Sequence, residues 1–593
     1  MRILSCHSPG AFAAGALVGA LTAGCAGSAP EPPVDLLLVN ARVYTLSWPD
    51  PGIDGTPDTA APFSKGAGWR PDAEAVAVRD GRIVFAGGGR EAERYRTGAK
   101  ATIDLAGATV VPGLIESHAH VLELGATLER VDLVGVKTEA DAIERVAARA
   151  ASVAAGEWIV GWGWDEGAWA NRYPDMTALN ARVPQHPVML RGLHGFAVWG
   201  NRLAFERAGI TRGTVAPVGG EIRKDAKGNP TGILINRAAT LLERAIPEPT
   251  PAQIESRLLR ALEALGAAGY VSVHEAGADA AEMTALEKLN AEKRLPLRVY
   301  VMLSARDTAL SRAWLKRGPN RGDGMLTVRA VKAFYDGALG SRGARLLADY
   351  SDRPGYRGLS GGDYGFDQAL MADMMKAGFQ ACIHAIGDAG NRETLDFIQS
   401  VEAAQAGVKA GRQRIEHAQV VHPGDVPRFA ALGVIASMEP PHAVEDKAWA
   451  ADRLGPDRVK DAYAWRTLRK AGARLAFNSD LPGSDYSIFY GLHAAIARRD
   501  KEGQPPGGWF PDQIMTPEEA LRGYTAWGAY AGFQENDTGV IAPGRWADLT
   551  VMDVDPLALG STAPERLLGG SIRMTVVRGR IAYRASEKPV AKQ

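Results

Sequence analysis

The stretch VVPGLIESHAHV, residues 110–121, ends an apolar run with two histidines placed two positions apart. Pro112-Gly113 is a turn signal, and the residues after it have the composition of a buried strand. Because residues two apart on a strand point to the same face, the imidazoles of His118 and His120 should project together. The stretch therefore predicts either a metal-binding pair at a strand end or two structural histidines.

Seven further short apolar runs follow this first strand and alternate with segments of helical period. Strands that alternate with helices form parallel βα units, and eight units indicate a closed barrel. We therefore predict an α/β fold built on a (β/α)8 TIM barrel. The helical segments are 279–295, 367–378, 389–407 and 457–472, and the strands are 115–121, 270–276, 297–303, 328–335, 379–385, 413–419, 434–438 and 474–480.

The two ends of the chain are rich in β-strand signals and flank the barrel. Residues 35–113 and 536–590 are predicted to form one small β-sandwich domain, with the barrel at 114–535 inserted between them. About 150 residues separate the first two barrel strands, which is too long for a plain connection. We expect an insertion at about 155–255, lying over the barrel mouth.

The N-terminus has the features of an export signal. Residues 1–24 form a short apolar run without acidic residues, and LTAGC, which ends at Cys25, is similar to a bacterial lipobox. We expect secretion across the inner membrane of a bacterium into the cell envelope or periplasm, with lipid anchoring at Cys25 and a tether at 25–34. The alternative is an ordinary cleaved signal peptide, in which Cys25 is incidental.

Composition limits the partners. The 68 basic and 68 acidic residues balance, so nothing favours nucleic acid, and membrane contact is expected only through the N-terminal anchor. Three cysteines, of which two lie at or before the lipobox, leave no internal disulfide for the mature domain. A small-molecule substrate is the expected partner, and a homodimer is an alternative that the sequence leaves open.

Four more polar residues fall near strand ends that a barrel would bring together. Lys332, His384, His417 and Asp480 belong to strands four, five, six and eight. Each alone has a structural interpretation, but their convergence with the two histidines favours a metal site. Imidazole and carboxylate suit a divalent ion such as Zn²⁺, which lowers the pKa of bound water to near 7. Asp480 is the candidate general base and later acid.

Six sequence blocks in one order carry a family resemblance. The chain from about 35 to about 585 resembles the amidohydrolase superfamily, and more narrowly amidohydrolase family 3 members of the N-substituted formamide deformylase (YtcJ-like) type. The blocks are PGLIESHAH (112–120), VKAFYDGALGSR (331–342), HAIGD (384–388), RIEHAQ (414–419), SMEPPHAVED (437–446) and NSDLP (478–482).

The resemblance implies a metal centre with one or two ions, zinc or another divalent metal. His118 and His120 would bind one ion, and His384 and His417 could bind a second. Lys332 matches a lysine that many members carry in carboxylated form as a bridging ligand, and Asp480 matches the catalytic aspartate. Carboxylation would also remove the cost of a buried ammonium group.

The resemblance also implies residues near the substrate. His442, Arg342 and His194 match such positions, with ordinary loop packing as the alternative. Trp164 belongs to a tryptophan cluster in the insertion, where it either walls an apolar pocket or forms part of the core of the insertion.

Two residues depart from the family pattern. Glu116 stands where the family usually has Asp, and Glu439 where it often has Gln. Glu116 is expected on the inward face of its strand with the two histidines, as a residue that orients them. A carboxylate at Glu439 would disfavour anionic substrates.

Together these features predict a metal-dependent amidohydrolase that cleaves the C–N bond of a small amide or formamide by metal-bound hydroxide. The same centre could instead hydrolyse a lactone, an ester or a cyclic ureide, or deaminate a heterocycle, because a barrel does not fix the reaction. An alternative of another class is a non-catalytic binding lipoprotein of the cell envelope, which loss of a ligand would favour.

Overall fold

The computed structural model describes residues 32–586, apart from 166, 168, 170–172, 321 and 406, so the signal segment and Cys25 lie outside the described residues. Eight parallel strands form one sheet in which spatial order follows chain order, and the predicted barrel is confirmed. The strands are β1 Leu114–Ala119, β2 Tyr270–Ala278, β3 Arg298–Ser304, β4 Leu326–Phe334, β5 Gln380–Ala385, β6 Arg414–His417, β7 Ile435–Met438 and β8 Arg474–Phe477.

The first and last strands meet at the seam of the barrel. Ser117 Oγ donates to the carbonyl of Phe477 at 2.9 Å, and the amide of His120 donates to the carbonyl of Leu481, also at 2.9 Å. The sheet is therefore nearly closed, and the carboxyl ends of all eight strands lie at one end of the barrel.

Helices surround the barrel and pack against it. In Pro251–Ala267, Thr250 and Gln253 form a capping box, and Ile254, Leu258, Leu262 and Leu265 are buried at helical spacing. The others around the barrel are Val121–Glu129, Ala280–Ala291, Thr308–Arg317, Gln368–Lys376, Asp388–Ala404, Val426–Leu432, Pro440–Asp446, Ala450–Arg458, Trp465–Lys470, Ile488–Ala497, Pro517–Gly523 and Ala526–Ala531.

One predicted helix is broken in the structure. Residues 457–472 contain the end of the helix Ala450–Arg458, a 3₁₀ turn at Val459–Asp461 and the short helix Trp465–Lys470. Tyr463, with φ of 53°, stands between them in the left-handed region, which a continuous helix cannot include. Its amide bonds to the carbonyl of Gln419, so tertiary contacts override the helical periodicity here.

Two β-sheets outside the barrel share one apolar core, which includes Leu38, Val76, Val110, Val551 and Val576. Both chain ends contribute, because Thr109–Pro112 pairs antiparallel with Leu549–Met552. The first sheet contains Val34–Val39, Ala75–Arg79, Arg82–Gly87 and Ala99–Asp104, and the second contains Arg42–Val43, Thr109–Pro112, Leu549–Met552, Ile572–Val577 and Arg580–Arg584. The helices Gly89–Arg96 and Pro556–Thr562 and the strand pair Phe63–Ser64 and Gly68–Trp69 complete these terminal parts.

A separate six-stranded sheet lies between β1 and β2 in the chain. It begins at Val131, earlier than the predicted insertion boundary at about 155, and has an apolar core on each face. Its strands are Val131–Asp132, Ile159–Trp164, Val188–Gly192, Ala197–Gly200, Gly220–Lys224 and Pro230–Asn236, and its helices are Glu139–Ala150, Met176–Arg182, Arg202–Arg207 and Thr240–Glu243. Within 32–586, none of the described helices combines the length and apolar character that crossing a bilayer requires.

Candidate metal centre

The six predicted metal-site residues lie at the carboxyl ends of the barrel strands. His118 lies in β1, and His120 follows that strand directly, at the start of the helix Val121–Glu129. Asp480 lies three residues after β8. The remaining three, Lys332, His384 and His417, lie in β4, β5 and β6.

Three of these side chains converge on one point. His118 Nε2 lies 3.4 Å from Asp480 Oδ1, and His120 Nε2 lies 3.3 Å from the same oxygen. Ligands about 2.0–2.1 Å from a tetrahedral zinc ion are separated by about 3.3–3.4 Å. The two distances to Asp480 therefore match the spacing between ligands of one metal ion, and all three donor atoms lie within 4.8 Å of one another.

Electrostatics prepares these donors for a cation. Burial, together with the charge of Lys332, lowers the pKa of His118 to about 4, so its imidazole is neutral at physiological pH. Burial raises the pKa of Asp480, but the neighbouring imidazoles of His118 and His120 outweigh that effect and hold the pKa well below its ordinary value. Neutral imidazole and ionised carboxylate are the forms that bind metal.

Lys332 reaches the same group from the opposite side of the barrel. Its Nζ lies 3.0 Å from His118 Nε2, and its side chain is almost fully buried. Burial lowers the pKa of Lys332, which favours the uncharged amine. The uncharged amine is the form of lysine that carboxylation requires.

His384 and His417 lie beside each other at the next two strand ends. Their rings are 4.3 Å apart between centroids, and the ring of His417 is 5.4 Å from that of His118. His384 Nε2 faces Asp336 Oδ1 at 3.8 Å. Asp336 accepts backbone hydrogen bonds from Arg345, Ile386 and Gly387, so it ties the loop after β4 to the loop after β5.

A second donor group contains His417, Glu439 and His442. His417 Nδ1 lies 3.1 Å from Glu439 Oε2, and His442 Nδ1 lies 3.8 Å from that oxygen. Burial lowers the pKa of His417, but the Glu439 carboxylate outweighs it and raises the pKa above its ordinary value. The rings of His417 and His442 are almost parallel, with 8° between their planes.

An ion pair that was not predicted from the sequence lies beside His118. Glu416 Oε2 accepts a hydrogen bond from His118 Nδ1 at 2.7 Å, which leaves Nε2 of that ring to face Asp480. Arg414 lies 2.8 Å from Glu416 Oε1 and also donates to the carbonyl of Ser117. The signal was present, because two opposite charges at alternate positions of a buried strand indicate an inward ion pair.

Glu116 does not share the inward face with the histidines, contrary to expectation. In the pairing of β1 with β2, Glu116 lies opposite Val273 and Ala119 lies opposite Glu275. β1 therefore has one more residue than β2 over this stretch. The extra residue in β1 forms a β-bulge, and the side chains after it point to the opposite face of the sheet from the one that the alternation predicts. Glu116 instead accepts hydrogen bonds from the amide and hydroxyl of Ser479, and burial raises its pKa to about 8.

Backbone strain accompanies the site. His417, Ala418 and Asp480 have φ values of 73°, 42° and 54°, in the left-handed region that residues with a Cβ rarely adopt. Such conformations cost about 1–3 kcal/mol each and persist where surrounding contacts enforce them. Here they occur where β6 ends, at His417 and Ala418, and in the segment after β8, at Asp480.

Of the four residues predicted to lie near the substrate, His442 lies next to a predicted metal-site residue, and the contacts of the other three are with other parts of the protein. His442 lies beside His417, whereas Arg342 forms a two-contact ion pair with Asp352. His194 lies in the six-stranded sheet unit, 3.8 Å from Asp165. Trp164 is fully buried in the core of that unit, where its indole donates to the carbonyl of Leu190, so it packs as core.

The chain is similar to known proteins over most of its length. The putative amidohydrolase YtcJ of Bacillus subtilis is 31% identical over 523 residues, which cover 86% of this chain and 96% of the relative. N-substituted formamide deformylase of Arthrobacter pascens is 26% identical over 544 residues, covering 88% and 94%. The crystal structure of an uncharacterized metal-dependent hydrolase from Pyrococcus furiosus matches with a TM-score of 0.68 and 27% identity, covering 88% of this chain and 99% of that one.

The match extends beyond single relatives to a family as a whole. A family model described as "Amidohydrolase family" matches residues 101–583, which include every barrel strand and all six positions predicted at the metal centre. A barrel with imidazole and carboxylate donors at its carboxyl end is an arrangement that suits metal-dependent hydrolysis. The chain belongs to the amidohydrolase family.

Proposed function

We propose that this protein hydrolyses the C–N bond of a small N-substituted amide or formamide at a zinc centre. The single observation that carries the proposal is the convergence of His118, His120 and Asp480 at donor spacings of 3.3–3.4 Å. The substrate class follows the name of the Arthrobacter pascens relative, N-substituted formamide deformylase. A carboxylate at Glu439 favours neutral or cationic substrates over anionic ones.

His118, His120 and Asp480 would hold the metal, and carboxylated Lys332 would add an anionic oxygen. A bound divalent metal supplies the Lewis acidity that activates water near neutral pH and polarises a carbonyl group. Glu416 holds the ring of His118 through Nδ1 and so fixes the direction of Nε2. The metal ligands and Glu416 would together position the water for attack on the carbonyl carbon of the scissile bond.

Asp480 would transfer the proton. Its Oδ1 faces both imidazoles and is buried without a hydrogen bond, so it stands at the centre where the water must lie. The carboxylate accepts the proton of the attacking water and then returns it to the leaving nitrogen, so the amine departs neutral. The products are a carboxylic acid, formate for a formamide, and the free amine.

The test compares the wild type with His118→Ala and Asp480→Asn. We expect stoichiometric zinc in the wild type, loss of zinc in His118→Ala, and a fall of kcat by about 10²–10⁴ in Asp480→Asn. Metal content is measured by mass spectrometry, and formate and amine release are followed with an N-alkylformamide. An N-aryl amide, a lactone and an ester serve as comparison substrates. Zinc-free wild type, or turnover of only the lactone or ester, would contradict the proposal.

We also propose that the chain is exported and lipid-anchored at Cys25. The support is the apolar run at 1–24 followed by LTAGC. Intact mass spectrometry of protein purified from membranes should give a chain that begins at Cys25 and carries acyl groups. An unmodified N-terminus elsewhere, or an unchanged membrane fraction for Cys25→Ser, would contradict the anchor.

A further inference from the structure

Asp480, the group proposed to transfer the proton, lies in a segment without regular secondary structure. Residues 478–480 follow β8 and belong to no helix or strand. The φ of Asp480 is 54°, in the left-handed region that a residue with a Cβ rarely adopts. A backbone of this kind persists only where surrounding contacts enforce it. The position of the Asp480 carboxylate therefore depends on the side chains that hold this segment.

Glu116 holds the residue directly before Asp480. Its Oε1 accepts a hydrogen bond from the amide of Ser479 at 2.9 Å, and its Oε2 accepts one from the hydroxyl of the same residue at 3.2 Å. Both side chains are almost completely buried. Glu116 lies in β1, where it is paired with Val273 of β2. These two contacts therefore tie the segment after β8 to a strand in the wall of the barrel.

A second side chain holds the same segment from β7. Asn478 Oδ1 accepts a hydrogen bond from the amide of Asp480 at 3.1 Å. Its Nδ2 donates to Ser437 Oγ at 3.1 Å and to the carbonyl of Met438 at 3.3 Å. The peptide groups on both sides of residue 479 are thus fixed, and each is planar. A shift of Ser479 would consequently move Asp480 as well.

The contacts of Glu116 set a requirement for side-chain length. Both are of ordinary hydrogen-bond length, so an aspartate, which is one methylene shorter, cannot form both unless the segment moves toward β1. Glutamine has the length of glutamate. Its carbonyl oxygen can accept from the Ser479 amide, and its NH₂ group can donate to the Ser479 hydroxyl. Reach, rather than charge, is therefore what these contacts require.

We propose that Glu116 is a positioning residue for proton transfer. Through Ser479 it holds Asp480 Oδ1 at 3.3–3.4 Å from the two imidazoles that face it. This inference rests on the proposed function in taking Asp480 as the group that moves the proton. Because Glu116 is fully buried, it acts on kcat through Asp480 and not on substrate binding.

The kinetic test uses the full-length protein loaded with Zn²⁺ and an N-alkylformamide. We expect Glu116→Asp to lower kcat by about 10–100-fold, because a displaced catalytic group loses its alignment, while KM and zinc content stay close to those of the wild type. Glu116→Gln should retain the wild-type kcat. Ser479→Ala removes the hydroxyl contact but keeps the amide contact, so its kcat should fall between the two.

Crystal structures of the metal-free wild type, Glu116→Asp and Glu116→Gln give a readout that needs no turnover. The distances from Asp480 Oδ1 to the two imidazoles should lengthen in Glu116→Asp and stay unchanged in Glu116→Gln. Glu518→Asp is the matched control, because it shortens another buried glutamate, one that contacts Trp48 and Arg522. It should lower Tm without changing kcat or the Asp480 distances.

Each remaining outcome would overturn the positioning role. Wild-type kcat in Glu116→Asp, or unchanged Asp480 distances in its crystal structure, would show that Glu116 does not position the carboxylate. A loss of kcat in Glu116→Gln as large as in Glu116→Asp would assign the role to charge. An equal loss in Glu518→Asp would assign it to general destabilisation. If the wild type hydrolyses no amide, the proposed function fails, whereas the crystallographic distances still decide whether Glu116 positions Asp480.

Discussion

Glu416 is a fully buried carboxylate that contacts both a guanidinium group and His118, and each contact has its own measurable role. Through His118 it fixes the direction of the ring that faces Asp480. Through Arg414 it neutralises a charge that would otherwise be isolated inside the barrel. A change at this one residue should therefore alter metal affinity and fold stability together.

Glu416→Gln should weaken metal binding by about 10–100-fold, because the ring of His118 loses its charged partner. The free energy of unfolding should fall by about 3–5 kcal/mol, because Arg414 is left buried without a carboxylate. Chelator competition measures the first quantity and urea unfolding the second. The control is Glu93→Gln, which breaks an exposed pair with Arg96 and should change neither.

Individual site residues were predictable to different degrees. The proximity of His118, Lys332 and Asp480 was predictable because polar residues at the ends of apolar runs stand out in sequence, and a barrel brings those ends together. Glu416 was not predicted, because a single carboxylate within a short buried strand does not show which side chain it will pair with. The face of Glu116 was predicted wrongly because a strand bulge leaves no mark in a run of alternating residues.

At the scale of elements, the helix that follows His120 packs unusually closely against its neighbour. A Cβ at Gly125 would lie 2.2 Å from the backbone carbonyl oxygen of Arg257 in the helix Pro251–Ala267. Backbone cannot move aside as a side chain can, so only glycine permits this approach. The position of His120 therefore depends on the contact between two helices.

Gly125→Ala should displace the helix Val121–Glu129 outward and draw His120 away from Asp480. We expect weaker metal binding and a loss of stability of about 1–3 kcal/mol, typical of overpacking. The control is Gly266→Ala in the facing helix, where the added Cβ would meet Leu297 at 3.6 Å, an ordinary contact. Equal metal affinities in the two variants, measured by chelator competition, would show that the helix contact does not position His120.

Elements were predicted best where a short apolar run is continuous. All eight barrel strands coincide with predicted apolar runs, because strands buried on both faces are continuously hydrophobic. The helix expected over 457–472 was wrong, since the left-handed Tyr463 depends on a hydrogen bond to the distant residue Gln419. The early start of the six-stranded sheet was missed because Val131–Asp132 is too short to give a pattern.

At the scale of the whole molecule, a buried ion pair joins the barrel to the terminal sheets. Arg298 of β3 donates to Asp548 at 2.6 Å, and both side chains are almost completely buried. Asp548 also accepts the amide of Arg578 at 2.7 Å. The carboxylate therefore connects a barrel strand with two segments near the end of the chain.

Asp548→Ala should lower the free energy of unfolding by about 3–5 kcal/mol, because Arg298 remains buried without its partner. We expect the barrel and the terminal sheets to unfold together, so tryptophan fluorescence and far-UV circular dichroism should give the same urea midpoint. Glu287→Gln, which breaks the exposed pair with Arg317, is the control and should leave the midpoint in place. Two separated transitions in the wild type would show that the parts unfold independently.

Metal removal should also act on the molecule as a whole. A ligand that binds only the folded state at 100 times its Kd stabilises that state by about 2.7 kcal/mol. Dialysis against a chelator should therefore lower Tm, and adding Zn²⁺ back should restore it. Asp480→Asn, which loses one anionic donor, should show a smaller difference in Tm between loaded and chelated samples.

The pairing of Thr109–Pro112 with Leu549–Met552 also determines when folding can finish. The partner strand is synthesised more than 400 residues after the first, which takes roughly 20–90 s at about 5–20 residues per second. Throughout that interval the early strand lacks its antiparallel neighbour, and the shared core of the terminal sheets is incomplete. A nascent chain of this design therefore cannot reach its final fold before nearly all of it has left the ribosome.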